Sequence, residues 1–222
     1  KGRMIVILSL YVLGIVVGIL SGYLFRKTLF TDNDASFMIE LPAYRMPAAR
    51  NVFTHVWERV SHFMEKAGTI IFAMRVVLWF LQSFDLSFAM TADPQRSILG
   101  VIGGAIAPVF KPMGFGSWQA AVALLTGLVA KEVVVSSLAM FCGFSLSAGG
   151  GAVQGALSGI FTARSAYAFL VFVLLYTPCM AAVATMRREL NSRKWTAFAV
   201  CYQLVTAYAV SLAVYLISGL FC

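Results

Sequence analysis

Charge is scarce in this sequence: of 222 residues 12% are charged and nine are acidic, while 60% are hydrophobic. A water-soluble chain of this size has too much surface to cover with so few polar groups, so an ordinary soluble domain is excluded and the missing polar surface is explained by lipid as the solvent. The mean hydropathy of +0.86 says the same. Nucleotide-hydrolysis and hydrolase signatures are also missing. GxxxxGK[ST], GxGxxG, HExxH and GxSxG do not occur, so these residues supply neither a phosphate cradle nor a catalytic nucleophile, and no enzyme is expected of them. Cysteine is sparse and unpaired in pattern. Cys142, Cys179, Cys201 and Cys222 lie within or at the ends of apolar runs with no CxxC or Cys/His spacing, which excludes a zinc site of the usual spacing and makes disulfides improbable at Cys179 and Cys201.

What is present is long apolar runs. A bilayer crossing needs about 20 mostly apolar residues, and Met4–Phe25, Trp118–Cys142, Ala166–Met186 and Trp195–Ile217 meet or approach that length. Ala67–Phe84 is shorter and carries Arg75, so it is predicted to cross only within a bundle. Ile98–Phe115 holds Gly100, Gly103, Gly104, Pro108, Lys111 and Pro112 and is predicted to be a short, broken or re-entrant segment. The fold class expected is all-α: a polytopic membrane helix bundle of about six crossings.

The net charge of +8 is not a nucleic-acid surface, because the basic residues fall in two inter-span segments. Arg26, Lys27, Arg45, Arg50, Arg59 and Lys66 share one and Arg187, Arg188, Arg193 and Lys194 the other, the positive-inside pattern that puts both on the cytoplasmic side. Three regions follow: a first span over 1–25, a cytoplasmic-side segment over 26–66, and a helix bundle over 67–222. Within 26–66, the stretch TDNDASFMIELPAYRMP is predicted to be an irregular loop. Phe53, Val56, Trp57, Val60, Phe63 and Met64 then recur at helical steps opposite Glu58, Arg59, Glu65 and Lys66, which predicts an amphipathic interfacial helix running into the second span. The Gly/Ser/Ala-rich stretch 145–164 is predicted to be a flexible external loop. The opening Lys-Gly-Arg reads as the start of a piece of something longer, since the apolar run after it has the wrong length and flanks for a cleaved signal peptide.

Charges at mid-bilayer persist only where they face a bundle interior with a partner. Lys131 and Glu132 lie near the centre of Trp118–Cys142 and, as neighbours, need separate partners. Glu132, Ser136 and Met140 share a four-residue step, setting a carboxylate, a hydroxyl and a thioether on one face. Two readings of Glu132 stand side by side: a role on a substrate path, or a structural pairing with Arg75 or Lys131. The second constellation is Tyr176, Thr177, Pro178 and Cys179. Pro178 has no N–H for the carbonyl of Leu174, so the helix is expected to open beside a thiol. Broken helices at membrane depth line cavities and bind ions in transporters, and thiolate and thioether ligands suit Fe(II) over sodium or magnesium; a kink that serves packing alone is the alternative. His55, Glu58, His62 and Glu65 align on the polar side of the amphipathic helix, where a solvated face needs no special cause and a metal-collecting surface is the other reading.

The strings ELPAYRMP, NVFTHVWERVSHFMEKAGTI, APVFKPMGFGSWQAAVALLTGLVAKEVVVSSL and FLVFVLLYTPCMAAVATMRRE resemble the C-terminal membrane region of the ferrous iron transport protein B family. That resemblance implies Fe(II) import across the bacterial inner (plasma) membrane, through a region with two copies of a gate motif shared with nucleoside transporters. It places the second gate at about 118–186, matches Cys179 to the family's second-gate cysteine and matches Lys131-Glu132 to its AKE string. It also implies a cytoplasmic GTP-binding domain using GTP and Mg2+, and a first gate, neither of which these residues contain. Arg75 departs from the uncharged residue expected there. The partners implied are the lipid bilayer, the GTP-binding domain and first gate, small cytoplasmic accessory proteins and further copies of the chain, with no nucleic acid.

The function expected is Fe(II) permeation, with Cys179, Glu132 and carbonyls near Leu174 holding the ion and Ser136 or Met140 assisting. A nucleoside-type gate transporter and a non-transporting membrane scaffold are the alternatives.

Overall fold

In hydrocarbon every backbone N–H and C=O has to be satisfied inside the chain, so the apolar runs have little choice but helix. The computed structural model describes residues 2–29, 48–91, 93–129, 131, 133–141, 155, 157–176 and 179–220; for a few of these, His62, Phe63 and Lys66 among them, the backbone alone is described. Eight α-helices are described: α1 (Gly2–Thr28), α2 (Ala49–Ser83), α3 (Ile98–Phe110), α4 (Trp118–Gly127), α5 (Val133–Phe141), α6 (Ala163–Leu175), α7 (Met180–Leu190) and α8 (Arg193–Leu220). Among the described residues there is no strand, only two isolated bridges, Phe84 with Met90 and Asp85 with Ser97. The chain is an all-α, multi-pass membrane protein.

The chain divides into two units, Lys1–Lys66 and Ala67–Cys222. In the first, α1 is apolar on every side between its charged ends, and none of its membrane-length stretch is buried, as a helix facing acyl chains should be. Its hydroxyls return to its own carbonyls: Ser21 Oγ donates to Val17 O at 2.8 Å and Thr28 Oγ1 to Leu24 O at 2.7 Å. The predicted amphipathic stretch is helical and continuous with the second apolar segment within α2, and Phe53 and Trp57 stack on one side of it at 6.4 Å. The predicted irregular loop over 31–47 lies outside the described residues, as does most of the predicted external loop.

The second unit is built on close helix pairs. Ser97 caps α3, its Oγ accepting from the Gly100 N–H at 3.1 Å. As predicted, the segment is short and broken: α3 ends at Phe110 and the chain bends after Met113, while Gly100, Gly103 and Gly104 lie inside the helix. Gly103 lies where a Cβ would meet the Val122 side chain and the Trp118 carbonyl, so it serves close approach of α4; Pro108 lies in the last turn and takes one hydrogen bond from the helix just before it ends at Phe110. The chain then turns through Lys111–Met113 to Gly114, which has φ of 78° and lies under the Tyr215 ring; only glycine takes that conformation in that space without strain. There α3 and its extension meet α4 at 104°. Phe110, Phe115, Phe169, Phe172 and Tyr176 form the centre of the core, with Ala120, Ala121 and Ala123 letting α4 come close.

One expectation is corrected. Trp118–Cys142 is not a single regular span: α4 ends at Gly127 and α5 begins at Val133. At 1.5 Å per residue each half is on the order of 15 Å long, about half a bilayer. Three described helical stretches are long and apolar enough to cross alone, Met4–Thr28, Ala163–Leu190 and Arg193–Gly219; the bent pair adds up to one more, and Ile71–Ser83 is a shorter apolar helix.

Candidate ion site where two broken helices meet

The last turn of any helix leaves carbonyls with no intrahelical donor and a partial negative charge at its end. In α6 that turn is Phe172–Leu175, followed by Tyr176 in extended conformation at φ −68° and ψ 169°. Pro178 follows in sequence with no N–H to offer the Leu174 carbonyl. The orphaned oxygens are filled from another element. Lys131, in the interruption between α4 and α5, donates from Nζ to the carbonyls of Val173 at 3.2 Å, Leu174 at 3.4 Å and Tyr176 at 3.4 Å. Its ammonium also stands 5.0 Å from the centroid of the Tyr176 ring, a cation–π contact whose value rises once water is excluded.

The second interruption answers the first. Met180, the first residue of α7, donates its backbone N–H to the carbonyl of Leu128, just past α4, at 2.9 Å. A cation on one break thus serves the carbonyl end of α6, while the amide end of α7 serves the carbonyl end of α4. Around this crossing Thr126 Oγ1 and Ser137 Oγ are 2.9 Å apart, both buried, tying α4 to α5 across their gap. Tyr176 Oη donates to Leu124 O at 3.5 Å, and a Cβ on Gly127 would strike both that hydroxyl and Val134.

Cys179 is the N-cap residue of α7, with a half-buried free thiol that makes no capping hydrogen bond. It lies on the interruption that Lys131 reaches, one residue before the amide bonded to Leu128. Glu132, Thr177 and Pro178 lie outside the described residues. Ser136 and Met140 are on α5 but exposed, Met140 at 65%, while Val134, Ser137, Leu138 and Ala139 form its buried side. The structure therefore brings Lys131 and the Cys179 interruption together and leaves Ser136 and Met140 on the other side of their helix. Arg75 is exposed on α2, beside a hollow lined by Val76, Leu78, Trp79 and Gln82, with no carboxylate partner among the described residues. His55 Nδ1 is 3.7 Å from Glu58 Oε2, both exposed, and the His62 side chain lies outside the described set. Among the described residues no three His, Cys, Asp or Glu side chains gather closely enough to hold a metal.

Sequence reasoning missed the bond from Lys131 to the α6 carbonyls and the Thr126–Ser137 pair. A signal for the first was present: an intramembrane ammonium needs acceptors, and an opened helix end offers them. The second had none, since choosing Ser137 over Ser136 requires knowing that the helix restarts at Val133.

The family model for the C terminus of ferrous iron transport protein B matches residues 7–59, and the gate model, described as nucleoside recognition, matches residues 64–193, more than half of the chain. The chain belongs to the gate family, and over residues 7–59 it is similar to the C terminus of ferrous iron transport protein B. Both interruptions lie within the gate match. Among its relatives, the Fe(2+) transporter FeoB of Staphylococcus aureus strain COL is 40% identical over 221 residues, covering 100% of this chain and 32% of that protein. Fe(2+) transporter FeoB of Methanocaldococcus jannaschii is 40% identical over 227 residues, 99% of this chain and 33% of its own length. An Fe(2+) transport protein A/Fe(2+) transporter FeoB fusion protein of Porphyromonas gingivalis is 33% identical over 263 residues, 98% of this chain and 31% of the fusion. The chain thus spans about a third of the length of the curated relatives it matches. No solved structure gives a significant match.

Proposed function

We propose that this gate-family chain is the metal-conducting membrane portion of a ferrous iron importer in the inner (plasma) membrane. The observation that carries the reading is the contact between two interrupted helices, with the Cys179 thiol on one break and Lys131 on the other. Interrupted helices at membrane depth supply fixed backbone dipoles to an ion without water, and a thiol selects a soft divalent metal over alkali ions. Cys179, Glu132 and carbonyls near Leu174 are the ion's ligands in this reading, and Thr177 and Pro178 hold the break open; the assisting role expected of Ser136 or Met140 gains no support from their exposed positions on the other side of α5. Names borne by relatives as Fe(2+) transporters support the same cargo.

GTP and Mg2+ belong to a GTP-binding domain elsewhere in the full-length protein, which shifts the gate by binding one of its states better than the other. The remaining partners are the bilayer, the first gate, like copies of the chain and a small accessory protein; the fused form in one relative supports the last.

Uptake of radiolabelled Fe(II) by cells expressing full-length Cys179→Ser or Glu132→Gln tests the assignment, with membrane abundance matched. Each variant is expected to lose on the order of tenfold or more, the scale of removing a metal ligand or its support. Wild-type uptake by both would leave a scaffold as the better reading. The gate model's description as nucleoside recognition motivates a second reading. Against it, the cavity of about 290 Å³ beside the crossing is lined by Ile106, Val109, Phe110, Leu124, Leu128, Tyr208 and similar side chains, without a single amide group. Its two tyrosine hydroxyls are already bonded to the carbonyls of Leu124 and Val109. Among the described lining residues a base edge would find two hydroxyl oxygens as acceptors and no side-chain donor free to read it.

A further inference from the structure

We infer that the Lys131 ammonium is a tethered cation that occupies the ion's place at the end of α6, and that the transported divalent ion exchanges with it. The inference rests on the transport reading above and adds to it the residue that closes the site between ions.

Three carbonyl oxygens from Val173, Leu174 and Tyr176 converge on one ammonium at 3.2–3.4 Å, with the face of an aromatic ring behind it. That is the environment expected around a bound cation: oxygen dipoles at a helix C-terminal end and a π face, all attracting positive charge. A lysine meets these needs as a compact charge on a flexible stem with three donors. Because the stem is four carbons long and springs from an interruption, not from a helix interior, the ammonium can leave and return without unwinding either helix. Among the described residues Lys131 has no carboxylate partner. The described groups that hold its charge are carbonyl dipoles and a ring face, and these attract a divalent ion more strongly than an ammonium.

The two cations cannot share one ring of carbonyls, since like charges at contact distance repel. An incoming ion bound by the Cys179 thiol therefore displaces Lys131, and the returning ammonium expels the ion. Lys131 thereby sets both how tightly the site holds metal and how readily it lets go.

The exchange is tested on the full-length protein in lipid nanodiscs, with Co(II) as the probe because its thiolate absorption band reports binding at Cys179. Lys131→Met is expected to bind Co(II) about tenfold more tightly, because the competing charge-assisted hydrogen bonds no longer have to be broken, and to transport more slowly. Lys194→Met, which removes an exposed charge at the start of α8, is expected to do neither. Unchanged or weaker binding by Lys131→Met at a retained unfolding temperature would overturn the exchange. Should that variant fail to fold, the parent protein answers: reductive methylation of Lys131, followed by mass spectrometry, is expected to rise when Co(II) is added, and a metal-independent extent would overturn the idea equally. Cys179→Ser separates the two levels. Co(II) bound by this variant as in the parent protein would sink the transport-site reading itself, whereas a thiolate band in the parent protein with a metal-blind Lys131 sinks the exchange alone.

Discussion

The pair α6–α7 and its neighbour α8 have nearly the same length and composition but opposite designs. α8 runs unbroken over 28 residues from Arg193 to Leu220, with its backbone groups satisfied along its own axis. The segment Ala163–Leu190 is also 28 residues long, yet it stops at Leu175 and restarts at Met180. Its freed carbonyls are handed to Lys131, and its freed amide at Met180 to Leu128. The two pack against each other, and Ser211 of α8, fully buried, donates to the Ala168 carbonyl of α6 at 2.7 Å. The continuous helix acts as the brace, and the interrupted one spends backbone hydrogen bonds to expose dipoles at membrane depth. A fold can carry such a break only where neighbours supply what the helix gave up.

The comparison can be broken most severely by interrupting the brace. Val205→Pro, at an exposed position in mid α8, removes one helical hydrogen bond and forces the ring on the carbonyl one turn back, so the unfolding free energy should drop by about 3 kcal/mol or more. Thermal unfolding in detergent would register it, and an unshifted transition would show that α8 is no brace. Next comes the crossing itself. Gly127→Ala sets a methyl against Val134 and the Tyr176 hydroxyl, a loss of about 1–3 kcal/mol by overpacking. Gly18→Ala, on α1 with open space around it, should cost nothing and raise helix stability by up to about 1 kcal/mol. Ser211→Ala cuts the tie between brace and broken helix at a cost of about 1 kcal/mol, read as a lower melting point with helix content retained. The smallest loss belongs to Tyr176→Phe. Its 3.5 Å bond to Leu124 is long enough that losing it should cost below about 0.5 kcal/mol, while the ring that faces Lys131 stays in place. A large loss there would mean that the hydroxyl, not the ring, organises the crossing.

How much could be read beforehand differs along the chain. The uniform apolar stripe of α1 and the amphipathic-to-apolar change within α2 were legible because each depends only on its own residues and their solvent. The opening beside Pro178 was legible for the same reason: a missing N–H is a local fact. The interruption after Gly127 was not. Leu128 and Val129 carry no helix breaker, and the halves separate because their ends find partners on another segment, Leu128 from Met180 and Lys131 from Val173–Tyr176. The same restart exchanges the faces of α5, so Ser137 is buried against Thr126 and Ser136 is exposed. Glycine in a helical run has two readings. In α3 it reads as a breaker, but Gly103 is a point of close contact with α4.

By itself the sequence determined that this protein lives in lipid, that it is helical, and that a soft ligand and intramembrane charges lie near the centre of its apolar runs. Hydropathy, proline chemistry and the cost of bare charge are properties of residues in a solvent, and they hold before any fold exists. Only the tertiary structure decided which carbonyls receive the Lys131 ammonium and which two breaks face each other. Those partners stand 42 to 45 residues apart, and no local preference links groups at that separation; the packing of α6 on α8 and of α4 on α3 around one aromatic core brings them within bonding distance.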